Sequence, residues 1–301
     1  MFRYSRARAL VLGATTLAAL GAIDVQALPY NAHAGYEVDG TTVPLPGQSS
    51  ATDVDILEFT TVNNLGVGIH AYGAGGSFGS RASANFFGPA SLAVVDSLFT
   101  LDLAGLGASL TLDVTPGEIA VRGLAGGMAV GDFLSSRLQF HIEVDGVSVY
   151  DNIISAGLDH TSANAGEFLD PGNTVALNLG LTCGSSFVGG TASCIIGGGA
   201  TPLNLDALAG HGGPHTLLYT LFAEASGEIS AASGCGGGFG GGGEVATALL
   251  INGDGGGNGG GNQCSAIARS GDPVPEPATF VLAPLAIAGA AVVRRRQRRA
   301  A

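Results

Sequence analysis

Four cysteines, at positions 183, 194, 235 and 264, carry the most definite chemistry in this chain of 301 residues. An even count suits two disulfides in an oxidising compartment. Four cysteines allow three pairings, of which the sequence-near one is Cys183–Cys194 with Cys235–Cys264. No close C-x-x-C clamp is present, so a structural zinc is a poor fit to these four. The segment Gly75-Gly76-Ser77-Phe78-Gly79 matches the nucleophile-elbow pattern G-x-S-x-G. That elbow needs a strand-to-helix turn, and no helical stripe follows Ser77. In a chain this rich in glycine the match is expected by chance. His211 and His215, in His-Gly-Gly-Pro-His, could share a metal, but Gly-Gly-Pro prevents the helical turn that usually pairs such ligands, and a solvated turn is the expectation. Asp53, Asp55 and Glu58, and separately Asp254, are the carboxylates best suited to Ca2+, which takes six to eight oxygens. Neither group has the EF-hand order. The sequence therefore assigns no catalytic residue and no metal site, and Ca2+ is the only ion carried forward as a cofactor.

The chain ends carry addresses rather than chemistry. Arg3, Arg6 and Arg8 precede an apolar run 9–23, which closes at Val25-Gln26-Ala27 with small residues at −3 and −1. This order is that of a secretory signal peptide over 1–27, leaving Leu28 as the first mature residue. At the other end, Val274-Pro275-Glu276-Pro277 precedes an apolar run 279–293 and then five arginines between Arg294 and Arg299. As a helix the run measures roughly 22 Å at 1.5 Å per residue, against a hydrocarbon core of about 30 Å. It spans only with thinning and snorkelling arginines. The expectation is a transmembrane segment at 279–293, with both arginine clusters on the cytoplasmic side and the body outside.

The order Pro275-Glu276-Pro277, short apolar segment, terminal arginines resembles the PEP-CTERM sorting signal. The resemblance is limited to about 274–301. It implies an exosortase-type transpeptidase that recognises Pro275, Glu276 and Pro277, and delivery to the cell surface or extracellular matrix of a Gram-negative bacterium with transient membrane anchoring. Secretion machinery is the other implied partner. The resemblance carries nothing about the body of the chain.

That body must fold on unusual composition. Glycine accounts for 51 residues, charged residues for 12%, and tryptophan is absent. There is no G-X-Y period, which excludes collagen, and 46% hydrophobic content is too high for general disorder. With the ends removed, four arginines face 22 acids, a net charge of −18. Such a surface excludes a nucleic-acid partner and draws divalent cations.

Periodicity favours strands. Leu138, Phe140, Ile142 and Val144 alternate with polar residues, and Asp145-Gly146 then supplies the residue pair of a type I′ turn before Val147-Ser148-Val149-Tyr150. The simple register places Val144 opposite Val147 and Ile142 opposite Val149. Alternation recurs at 99–103, 110–114 and 175–181, and 216–223 is apolar on both faces, as a central strand should be. Weaker strands are expected at 54–62, 66–72, 118–122 and 245–251, with Gly-rich loops in 234–262. About ten strands and no sustained helical stripe point to an all-β fold, a β-sandwich of jelly-roll type. The expected organisation is a signal peptide 1–27, a sandwich domain 28–264, a linker 265–274, and the sorting signal 275–301.

The functional expectation is a structural, non-catalytic matrix protein linked to exopolysaccharide or biofilm, bridged to acidic polysaccharide through divalent cations. A weak carbohydrate-binding module and a secreted hydrolase are the alternatives. The first lacks the aromatic platform that sugars stack on; the second would need a carboxylate pair that the sequence alone does not single out.

Overall fold

A computed structural model describes residues 30–50, 53–74, 77–124, 128–232, 235 and 264–270. The first strands in chain order are β1 (Tyr30–Val38), β2 (Thr41–Pro44), β3 (Gln48–Ser50), β4 (Asp53–Val62), β5 (Leu65–Ala74) and β6 (Ser77–Phe86). Next come β7 (Ala90–Leu106), β8 (Ser109–Val114), β9 (Gly117–Arg122), β10 (Phe133–Val144), β11 (Val147–Asp159) and β12 (Ala163–Leu169). The last are β13 (Leu181–Ser186), β14 (Thr191–Ile196), β15 (Gly199–Asn204), the short helix α1 (Leu205–Ala209), β16 (His215–Ile229) and β17 (Cys264–Ser270).

These strands form two large antiparallel sheets, an all-β arrangement consistent with a β-sandwich. The first runs β12-β11-β10-β16-β7-β1-β2, with β3 also paired to β1; the second runs β13-β14-β9-β17-β6-β5-β4. A small third sheet joins β15 to β8. The interior follows from alternation. On the first sheet Phe99, Leu101, Leu138, Phe140, Ile142, Leu217, Tyr219 and Leu221 are buried. The second contributes Leu65, Val67, Ile69, Phe78 and Phe86, interspersed with the small Ala82, Ala84, Ala266 and Ala268. Small residues of one layer make room for large ones of the other, as Gly227 of the first sheet does for the Phe86 ring of the second. Phe78 makes the link between them: its ring stacks on Phe99 at 4.9 Å and meets Tyr219 edge-on at 4.6 Å. Gly73 serves the same junction, because a Cβ there would run into the Phe99 ring.

The hairpin at Asp145-Gly146 has positive φ at both central residues, 50° and 77°, as a type I′ turn requires. Its register differs from the simple one. Val144 does face Val147, but a bulge shifts the ladder and Ile142 pairs with Tyr150. The extra residue lets consecutive Val149 and Tyr150 both lie buried, and it frees the Val149 carbonyl to accept from the backbone N–H groups of Thr174 and Val175.

Residues 175–181, expected as a strand, are irregular up to Leu181. Their alternating apolar side chains do pack on the core. Their backbone, however, is satisfied by scattered partners such as Val149 and the Thr201 hydroxyl rather than by a ladder. The linker expected over 265–274 is also corrected. Residues 265–270 belong to β17, which lies between β9 and β6 with alternate residues buried. Its small side chains gave no apolar signal in the sequence.

The transmembrane expectation is corrected as well. Segment 279–293 lies outside the described residues, and among those described no helix is long and apolar enough to cross a membrane; the single helix α1 has five residues. A membrane-anchored surface placement is accordingly withdrawn. The signal peptide 1–27, the sorting residues Pro275, Glu276 and Pro277, the expected Gly-rich loops of 234–262 apart from Cys235, the strand expected at 245–251 and Asp254 also lie outside the described residues.

Candidate functional site

Chemistry-bearing groups converge at one end of the first sheet, where three local structures meet. The β10–β11 turn presents Asp145. Helix α1 presents Asp206; its N-cap Asn204 accepts from the Ala207 N–H, and Gly210 at φ 73° ends it after one turn. The loop that follows carries His211 and delivers His215 as the first residue of β16. Pairing of β10 with β16 sets Val144 opposite Leu217, and this places Asp145 against residues 70 positions away in the chain.

His215 is fully buried, not solvated as the sequence suggests. Its Nδ1 lies 2.8 Å from Asp145 Oδ2 and its Nε2 lies 2.8 Å from Asp206 Oδ1. With a carboxylate at each ring nitrogen, both N–H groups donate, and these bonds, to Asp145 first and Asp206 second, raise the His215 pKa above its ordinary value. Asp145 moves the other way, down to about 2. The Thr216 N–H bonded to its carboxylate is the main cause and His215 the next. Thr216 binds Asp145 Oδ1 through both its N–H, at 2.7 Å, and its hydroxyl, at 3.1 Å. His211 is 58% exposed and brings Nε2 to 3.5 Å from Asp145 Oδ2. One ligand-type atom from each of Asp145, His211 and His215 falls within 4.8 Å of the others, so the three could hold a metal ion.

The other sequence-derived candidates are dispersed. Cys183 and Cys194, directly opposite on β13 and β14, form one disulfide; Cys235 and Cys264 form the other, tying the chain beyond β16 to the start of β17. Asp53 and Asp55 project from one face of β4 and Glu58, at opposite parity, from the other, so they do not converge on an ion. Asp55 instead accepts from His70 Nε2 at 3.0 Å. Ser77 opens β6, a strand and not a helix, so the elbow geometry is absent. Asp206 gave no signal in the sequence, and Asp145 was legible only as a turn residue.

A carboxylate pair that the sequence could not pick out lies on the outer face of the first sheet. Asp96 of β7 stands directly opposite Glu224 of β16, and Glu224 stands opposite Arg137 of β10. Burial, and then the neighbouring Glu224 charge, push Asp96 up to about 6. Burial also raises Glu224, partly offset by the Arg137 charge. The native state thus holds the Asp96 proton more tightly than the unfolded chain, whose carboxyl titrates near 3.8. Stability should fall as pH rises through that interval, the loss being complete above it. Asp96→Asn removes the titration. Its melting temperature should exceed the native one at about pH 7.5, and the gain should vanish below about pH 4. A gain independent of pH would show that ionisation of Asp96 is not its source.

Cavities of about 400 Å³ and about 500 Å³ flank the irregular 174–181 segment; Tyr150, Glu167 and Asn173 line the first, Thr201 and Asn204 the second. Neither is lined by the Asp145 cluster or by the Asp96–Glu224 pair. No protein-family model, curated protein or solved structure matches this chain.

Proposed function

We propose that the chain is an architectural, non-catalytic protein of an exopolysaccharide or biofilm matrix, exported and sorted by an exosortase-type enzyme through Pro275, Glu276 and Pro277. The observation that carries this reading is the pair of disulfides stapling a sandwich of strongly acidic composition. Disulfides persist in oxidising surroundings outside the cytoplasm. Net acidity repels acidic polysaccharide within a Debye length of about 8 Å, so cohesion with such a polymer runs through bridging divalent cations such as Ca2+. In the same reading the sandwich is wound as a jelly roll, which the late strands β16 and β17, inserted between earlier strands of each sheet, favour.

A second reading, a secreted hydrolase, is favoured by one observation: the Asp96–Glu224 pair, whose raised pKa values suit proton transfer. One set of assays separates the two. The purified chain is expected to hydrolyse no polysaccharide, ester or peptide. Deleting its gene should alter biofilm or floc texture, and a Ca2+-selective chelator should weaken its retention in the matrix. Turnover that Glu224→Gln abolishes would replace the architectural reading with the hydrolase.

A further inference from the structure

We propose that Asp145, His211 and His215 form a binding site for a borderline divalent transition ion, Zn2+ foremost, with its fourth coordination position open to solvent. The residue set selects the metal class. Two imidazoles and one carboxylate suit Zn2+, which binds nitrogen and oxygen at about 2.0–2.2 Å, usually with four ligands. Ca2+ would find one carboxylate where it needs six or more oxygens.

Spacing agrees. Ligands about 2.05 Å from a tetrahedral ion stand roughly 3.3 Å apart. The His211 Nε2 to Asp145 Oδ2 separation is 3.5 Å, long for a hydrogen bond and close to that edge. The His215 Nδ1 to Asp145 Oδ2 distance of 2.8 Å is a hydrogen bond in the metal-free chain; an ion entering replaces the Nδ1 proton, which leaves to solvent, and the distance opens by a few tenths of an ångström.

The outer atoms of the three ligands give the independent argument. Asp145 Oδ1 is held by the Thr216 N–H and hydroxyl, leaving Oδ2 to face the site. His215 Nε2 is held by Asp206 Oδ1, leaving Nδ1. The Nδ1 of His211 lies 3.4 Å from the Gly212 carbonyl, leaving Nε2. Asp145 and His215 are thus anchored through the atoms that would not touch the metal, His211 only loosely, and the three remaining atoms converge. A carboxylate behind a ligating histidine is the usual support of such a site: it fixes the tautomer and strengthens the imidazole as a donor. Rigidity on two sides, from the positive-φ turn at Asp145 and the strand start at His215, leaves His211 as the mobile ligand that closes over the ion.

The test uses the full, disulfide-intact chain, stripped of metal and titrated with Zn2+ by calorimetry, with Co2+ as a spectroscopic substitute. Binding of one Zn2+ per chain is expected, with the visible absorption of four-coordinate Co2+ and a melting temperature that climbs with Zn2+ concentration. His211→Ala, exposed and therefore safe for folding, should weaken binding at least ~100-fold. Asp206→Ala should weaken it ~10–100-fold without removing a ligand. Ca2+ in excess should not displace Zn2+. Absence of one-to-one binding would overturn the proposal. So would affinity unchanged in His211→Ala, since the ion would then sit at another histidine.

Discussion

Replacing Phe78 with alanine is expected to destabilise the fold by about 3–5 kcal/mol, the range for deleting a fully buried phenylalanine. Phe78 is 1% exposed and belongs to β6 of the second sheet, whereas both of its ring partners, Phe99 and Tyr219, belong to β7 and β16 of the first. Truncation removes the stacked and the edge-on contact together. The cavity it leaves is walled by strands fixed in their ladders, so collapse recovers little. At roughly 2–4 °C per kcal/mol for a domain of this size, the melting temperature should fall by about 6–20 °C. Phe168→Ala provides the control. That ring is 68% exposed on the edge strand β12, and its removal should stay within about 0.5 kcal/mol. Equal losses for the two variants would mean that the sheets do not meet at Phe78.

Sequence legibility tracked side-chain size and distance along the chain. The Asp145-Gly146 hairpin could be read because a two-residue turn is local and its φ values demand those residues. That β16 is a central strand of its sheet could be read because Thr216 to Ala223 is largely apolar on both faces; its neighbours β10 and β7 could not. β6 and β17 could not. Their buried positions are Ala82, Ala84, Ala266 and Ala268, too small to stand out from a Gly-, Ala- and Ser-rich background. The 175–181 alternation misled in the opposite direction, since period two records which side chains are buried and not whether a neighbouring strand takes the hydrogen bonds. The bulge at Ile142 escaped because it answers to Thr174 and Val175, over twenty residues downstream. The Asp145–His215–Asp206 cluster was illegible for the same reason: it exists only once β10 and β16 are paired, and a single sequence does not announce strand partners.

Loss of the Cys235–Cys264 disulfide is expected to cost about 3.6 kcal/mol, and loss of Cys183–Cys194 about 2.8 kcal/mol, in the loop-entropy model with closed loops set by sequence separations of 29 and 11. Position in the fold should widen that gap. Cys183 and Cys194 join neighbours on β13 and β14 that the ladder already holds opposite each other, on a strand whose residues are mostly exposed. Cys264 opens β17, which fills the slot between β9 and β6. Besides its two backbone ladders and the buried Ser270 hydroxyl, bonded to the Ser80 N–H and carbonyl, β17 has little side-chain anchorage there. Of its inward residues, Ala266 and Ala268 bury only methyl groups, and the ion pair of Arg269 with Glu118 at 3.2 Å is partly exposed and therefore contributes modestly. Without the bond, the second sheet can release β17 and expose the ladder edges of β6 and β9. The double variant Cys235→Ser with Cys264→Ser should accordingly melt about 7–14 °C below the native protein, and amide exchange should accelerate first along β17 and the strand faces beside it. Cys183→Ser with Cys194→Ser should melt higher than that variant and confine faster exchange to β13 and β14. The reverse ordering would mean that contacts within the sheet, and not the covalent tether, keep β17 in place.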